Sequence, residues 1–440
     1  MVVPKCPITV IGAGLAGSEC ALKLAEAGVP VRLLEQKPHT RSPAHRLDGF
    51  AELVCSNSLK TTDREKAHGI LKEELARLGS PLLAHARTCA VPAGPTSLAV
   101  DRDQFSHAVT RAIQHHPHIT LVSQEVTEIP KDGITVLATG PLTSGRLARA
   151  LQDLLGEDTL YFYDATSPIV RGDSLNFKTL FFASRYHEET KDYLNIPLSE
   201  AQYHAFVLAL KAGQKHAAHP FEKLNLFSGC QPIEDMAASG LDTLRFGPFR
   251  PTGFKKVAGL SMPPYAVIQL RRETVGDALW NLVGCQTRLT HGEQKRIFRL
   301  LPGLERAEFV RYGTIHRNTF INSPHHLDAT LACRKNPNLY FAGALTGAEG
   351  YTEAIGTGLA VAHFILQRLR CGHARPLPIT SLLGALIHYL TASEPKTFQP
   401  MNVNRGLLPP CPSKQRRHFS LSHRSIEAIQ TYLAEIQQRT

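Results

Sequence analysis

Apolar and polar positions alternate with a helical or strand period over most of the chain. Ile8-Thr-Val-Ile11 is a short run of strand-forming residues, and Leu15 to Ala27 repeats its apolar residues at helical spacing until Gly28 ends it. Val31 to Leu34 is apolar again, which completes a strand–helix–strand opening. Asp63 to Leu78 predicts an amphipathic helix, with Asp63 as its N-cap and Leu71, Leu75 and Leu78 on one face. Asp103 to His115 predicts another, burying Phe105, Val109 and Ile113. Ile119–Val122 and Ile134–Ala138 are expected to join the first two strands in one parallel sheet.

From about 160 to 300 short apolar runs with Pro and Gly punctuation replace that alternation, as in Phe246-Gly-Pro-Phe249 and Met262-Pro-Pro264. The parallel-sheet texture returns at Leu339-Tyr-Phe-Ala-Gly343, followed by a helix from about Thr352 to Leu369. A helix near Leu382–Leu390, a proline-rich loop and an amphipathic helix over Ser422 to Gln438 complete the pattern. The expected organisation is a nucleotide-binding domain over residues 1–155, an inserted α+β substrate domain over 156–300, and a return to the first domain over 301–440. No apolar run reaches the roughly 18 residues a membrane helix needs, and a cytoplasmic protein without a membrane partner is expected.

Gly12-Ala13-Gly14-Leu15-Ala16-Gly17 lies between the first strand and the first helix. Gly12 suits the tight turn, Gly14 lets the backbone approach a pyrophosphate, and Gly17 lets the helix pack closely on the sheet. Glu35 ends the second strand, where an acid binds a ribose hydroxyl pair. Val136-Leu-Ala-Thr-Gly-Pro141 resembles the crossing strand of glutathione-reductase-like flavoproteins, and Leu339 to Gly343 with Gly347 to Tyr351 resembles their C-terminal flavin segment. The fold class these resemblances imply is α/β, a glutathione-reductase-like FAD-binding Rossmann domain carrying an inserted α+β domain. No second Gly-x-Gly-x-x-Gly occurs, so NADH or NADPH is expected to visit rather than reside.

A net charge of +11 over 440 residues suits a polyanionic partner, although scattered clusters such as Lys255–Lys256 and Arg271–Arg272 also suit an ordinary solvated surface. The nine cysteines contain no Cys-x-x-Cys pair, so neither a zinc site nor a redox dithiol is signalled, and no metal is expected. Two stand out: Cys55 among small polar residues where the chain runs along a flavin, and Cys230 among turn formers in the insertion. Each taken alone also reads as a structural thiol.

Those two segments, Glu52-Leu-Val-Cys-Ser-Asn-Ser-Leu59 and Cys230 to Glu234, resemble the folate- and FAD-dependent tRNA uracil-5-methyltransferases called TrmFO. Ala44-His45, Val91 to Gly94, Val100-Asp-Arg102, Tyr163-Asp-Ala165, Arg311-Tyr-Gly313, His316 to Thr319, Glu349-Gly-Tyr351 and Phe398 to Asn402 extend the match over nearly the whole chain. The resemblance implies FAD as cofactor, 5,10-methylenetetrahydrofolate as carbon donor and tRNA as substrate, the target being the T-loop uridine at position 54. It assigns Cys230 as the thiolate that adds to the uracil and Cys55 as the base that removes the 5-proton. Tyr351 would stack on the folate, Arg317 would hold the folate glutamate or an RNA phosphate, and His45 and Asn57 would touch the flavin. Ile196 stands where relatives often carry a third cysteine, and Arg405 replaces a usual aromatic. A ribosomal-RNA uracil-5-methyltransferase on the same scaffold and a small-molecule flavin oxidoreductase stay open as alternatives. Oligomeric state is not legible.

Overall fold

The computed structural model describes residues 6–42, 44–156, 160–187, 189–216, 231–254, 263–410 and 417–438. A six-stranded sheet carries the nucleotide-binding pattern, in the order Ala332–Cys333, Asn336–Phe341, Thr135–Leu137, Ile8–Ile11, Val31–Glu35, Ile119–Ser123. All of its pairings are parallel except the first. Ile11 is in register with both Leu34 and Leu137, and Leu137 with Phe341, so the carboxyl ends of four strands open along one edge. In such sheets that edge is the ligand crevice.

Two helices cover the sheet at this edge, Leu15–Glu26 and Tyr351–Cys371. Their close crossing is possible because Gly358 places no side chain against the Ala16 carbonyl. The core between helices and sheet holds Val10, Leu24, Leu33, Phe341, Leu359 and Phe364, all fully buried, each contributing about 1.5–3 kcal/mol relative to exposure.

The insertion is a second six-stranded sheet, in the order Phe181–Phe182, Tyr193–Leu198, Ala266–Arg272, Leu279–Leu282, Ile169–Arg171, Phe309–Arg311, antiparallel throughout. The helix Glu200–Ala212, started by a Ser199–Gln202 capping box, packs its Tyr203, Phe206 and Leu210 into a core with Trp280, Phe249 and Phe298. This core runs on through Leu304 and Ala307, and the sheet to Arg311, so the insertion extends past the edge expected at residue 300. Leu160–Ala165 and Ile315–Phe320 pair antiparallel as the two connections between the units.

Local boundaries differ from expectation where turn chemistry outcompetes helix. Asp63 accepts from the Glu65 and Lys66 backbone in a turn, and its helix begins only at Ala67. The helix expected over Asp103 to His115 spans Arg102–Gln114 and is capped by Asp101. Helices Pro81–Thr88 and Gly145–Leu155, and the antiparallel sheet of Ser58–Thr61, Ser97–Val100 and Ala90–Val91, were not foreseen. The last helix starts at Arg417, earlier than the periodicity indicates. Among the described residues no helix is long and apolar enough to cross a membrane.

Candidate active site

A cavity of about 390 Å³ lies at the carboxyl edge of the first sheet. Gly12, at φ +97°, makes the turn off the first strand, and a β-carbon there would stand 2.6 Å from the Ala138 carbonyl oxygen. At Gly14 a β-carbon would meet nothing within 4 Å, so the backbone there is open to a ligand. The helix that begins at Leu15 has no side-chain cap on its first turn, and neither has the helix that begins at Tyr351. Both N-termini line the cavity and present uncapped N–H dipoles to it. Glu35 also lines it, its carboxylate accepting from the Ala13 N–H at 2.7 Å and from the Lys37 N–H at 3.0 Å. Ala13, Leu15, Ala16 and Gly343 join this cradle, while Gly17 stands behind it, tight against the Gly12 carbonyl as the fingerprint requires. A donor-rich turn, a buried acid at the second strand end and two helix N-termini lining one cavity fit FAD.

The thiol segment forms one wall. Cys55 is half-buried and lines the cavity, with Val54 and Ser56 beside it. The hydroxyl of Tyr351 accepts from the Cys55 N–H at 2.6 Å and the Ser56 N–H at 3.1 Å, so the start of the C-terminal helix holds this loop in place. Burial, followed by the neighbouring Cys55, pushes the Tyr351 phenol well above its ordinary range, so it stays protonated. Cys230 lies outside the described residues, and the meeting of the two thiols is not part of the described geometry.

Asn57 corrects an expectation. It is fully buried and faces away from the cavity, donating to the carbonyls of Val100 at 3.0 Å and Arg272 at 2.8 Å while Arg271 Nε donates to its Oδ1 at 2.7 Å. It ties the first unit to the insertion and does not line the flavin space. His45 does line the cavity, with Nδ1 2.6 Å from the Ser42 hydroxyl. Arg317 is exposed on the connecting strand, outside the cavity wall, with its guanidinium 4.1 Å from the Tyr161 ring centroid.

The cavity also gathers titratable groups to which no role was assigned. Burial pushes the Asp164 carboxyl up to about 6, and burial with Asp164 and Cys55 nearby raises Glu349 well above the carboxylate range. Burial, then Arg311 and His45, lowers His316 to about 4, and burial, then Lys37, lowers His45, so both imidazoles are uncharged at neutral pH. Asp164, His316 and Glu349 lie in Tyr163-Asp-Ala165, His316 to Thr319 and Glu349-Gly-Tyr351, and what singles them out is convergence on one cavity, which no linear spacing reveals.

The family described as "Glucose inhibited division protein A" matches residues 7–371. The Geobacter sulfurreducens protein named methylenetetrahydrofolate--tRNA-(uracil-5-)-methyltransferase TrmFO is 50% identical over 98% of this chain and 99% of its own length. Its namesake from Heliobacterium modesticaldum is 48% identical over 97% of this chain and 98% of its own. The crystal structure of Aquifex aeolicus GidA shares the fold, with a TM-score of 0.68 at 16% identity, covering 97% of this chain and 73% of that one. The chain belongs to the glucose inhibited division protein A family and, within it, to the methylenetetrahydrofolate--tRNA-(uracil-5-)-methyltransferases called TrmFO.

Proposed function

We propose that this protein uses methylenetetrahydrofolate to methylate carbon 5 of a uracil in tRNA, at the T-loop uridine of position 54, acting in the cytoplasm. One observation carries the reading beyond family membership. A half-buried thiol, Cys55, is fixed by Tyr351 on the wall of the same cavity that two helix N-termini and Glu35 shape for a dinucleotide.

The chain's residues divide the work. Gly12 to Gly17, Glu35 and Gly343 hold FAD, which when bound and reduced supplies the hydride and is recharged by NADH or NADPH. The Cys230 thiolate adds to carbon 6 of the uracil, which makes carbon 5 nucleophilic enough to take the one-carbon unit from folate. Cys55 then takes the proton from carbon 5, and tetrahydrofolate leaves so that the one-carbon unit becomes an exocyclic methylene. Hydride addition to that methylene expels the Cys230 thiolate from carbon 6 and completes the methyl group. His45 and His316, both held neutral by burial, line the same cavity, which suits an uncharged base that has flipped out of its loop. Arg317, exposed outside the cavity wall, meets an RNA phosphate or the folate glutamate.

Purified protein is expected to be yellow and to transfer labelled carbon from methylenetetrahydrofolate to unmodified tRNA. Mapping the methylated nucleotide tests the target, and methyl found only in ribosomal RNA would overturn it. RNA bearing 5-fluorouridine should trap a covalent adduct that Cys230→Ala cannot form. Cys55→Ala should trap RNA without completing methylation, and full activity in that variant would remove Cys55 from the mechanism.

A further inference from the structure

The side chain of Arg102 takes no part in the scheme above, yet it touches both the thiol segment and the insertion. It is the first residue of the helix Arg102–Gln114 and only 9% exposed. Its Nη1 donates to the carbonyls of Leu53 at 2.9 Å and Val54 at 3.3 Å, the two residues before Cys55. The other side of the guanidinium forms a fork with Glu273, Nε to Oε2 at 2.6 Å and Nη2 to Oε1 at 3.0 Å. Glu273 is 3% exposed and directly follows the insertion strand Ala266–Arg272. The same strand end holds the far side of the loop, because Arg271 and the Arg272 carbonyl bind Asn57. Residues 53, 54 and 57 are thus all tied to residues 271–273, with Cys55 suspended between them and its N–H on Tyr351.

We propose that Arg102 is the positioning residue for the Cys55 thiol and that Glu273 of the insertion sets where Arg102 stands. The placement of the thiol is then a property of the contact between the two units and not of the loop alone. This rests on Cys55 being a reacting thiol. The charges support the geometry. Burial opposes the Arg102 cation, but Glu273 overcomes it and holds the guanidinium above its ordinary value, with Tyr351 and Cys55 also within electrostatic reach. Among the described residues, the titratable groups shown to act on or be acted on by Cys55 are Arg102 from its helix and Glu349 and Tyr351 from the C-terminal segment, while Arg311 faces Arg102 from the last insertion strand.

A positioning cation and a merely structural ion pair differ in sign. Removing the cation disfavours the Cys55 thiolate, whereas removing its partner anion favours it. The full-length, FAD-loaded protein is alkylated with iodoacetamide across pH, and the Cys55 peptide is followed by mass spectrometry without RNA or folate. In Arg102→Gln the midpoint should rise by about one pH unit, and in Glu273→Gln it should fall. Arg102→Lys keeps the charge but loses the fork, so its midpoint should stay near wild type. Its kcat for methyl transfer should fall at least tenfold with the KM for tRNA unchanged.

Midpoints that do not move, or that move the same way in Arg102→Gln and Glu273→Gln, would overturn the proposal, as would an unchanged kcat in Arg102→Lys. Should Arg102→Gln not fold, Glu273→Gln and Arg102→Lys decide by the same criteria. Methyl transfer surviving in Cys55→Ala would sink the role of the thiol instead, a result separate from the alkylation midpoints.

Discussion

Gly358→Ala tests whether the crossing of two helices sets the cofactor site from a distance. Gly358 lies two turns inside the helix Tyr351–Cys371, and a β-carbon there would stand 2.2 Å from the Ala16 carbonyl oxygen and 2.9 Å from its Cα. Backbone cannot yield as a flexible side chain can, so the helices must separate by about 1 Å to restore a normal contact. Overpacking of this kind costs about 1–3 kcal/mol, and a gap of that size forfeits roughly a quarter to a half of the dispersion energy of the contacts it opens. The helix preference of Ala over Gly returns about 0.5–1 kcal/mol. The net expectation is a loss of about 2 kcal/mol, or a thermal midpoint lower by roughly 2–4 °C in a chain of this size.

The separation also draws the N-terminus at Leu15 away from the pyrophosphate position. FAD affinity should fall about tenfold, equivalent to ~1.4 kcal/mol, read by flavin fluorescence quenching on titration of the apoprotein. Gly292→Ala is the control, since a β-carbon there meets nothing within 4 Å and the residue is helical; it should be neutral or slightly stabilising. If Gly358→Ala melts like wild type and binds FAD within twofold of it, the crossing does not position the site.

Other outcomes follow from single side chains. Tyr351→Phe removes the acceptor for the Cys55 and Ser56 N–H groups, each lost buried bond being worth about 1–3 kcal/mol, so methyl transfer should fall at least tenfold with the flavin spectrum intact. Asn57→Ala should lower stability by about 2–3 kcal/mol, followed by the fluorescence of the single tryptophan, Trp280, without altering flavin absorption; a spectral shift would return Asn57 to the flavin site. Burial raises Glu74 from 4.5 to about 7, while it accepts from the Leu382 and Leu383 N–H groups and the Ser425 hydroxyl. The folded state holds that proton more tightly than the unfolded one, so this contribution to stability is full below pH 4.5 and is lost as pH rises through 7. The stability difference between wild type and Glu74→Gln should therefore change by about 2–3 kcal/mol between pH 5 and 8 in urea titrations, and parallel curves would refute the assignment.

The dinucleotide cradle was legible in the sequence because its physics is local. A turn that only glycine tolerates, a helix start and an acid at a strand end fall within residues 8–35 of one another's reach, and the structure puts all of them on one cavity. Asn57 was misread for the opposite reason. Its neighbours in sequence, Ser56 and Ser58, do line the cavity, but its own side chain is drawn the other way by the Val100 carbonyl and by Arg271 and Arg272, which lie more than 200 residues away.

Period and composition by themselves determined the βαβ opening, the presence of an insertion and the residue types able to carry flavin and thiol chemistry. Tertiary structure alone decided which of them face one another. The pairing of Arg102 with Glu273, the grip of Tyr351 on Cys55 and the upward shift of the Glu349 carboxyl each depend on distance and desolvation between segments 100 or more residues apart, for which a linear pattern has no term.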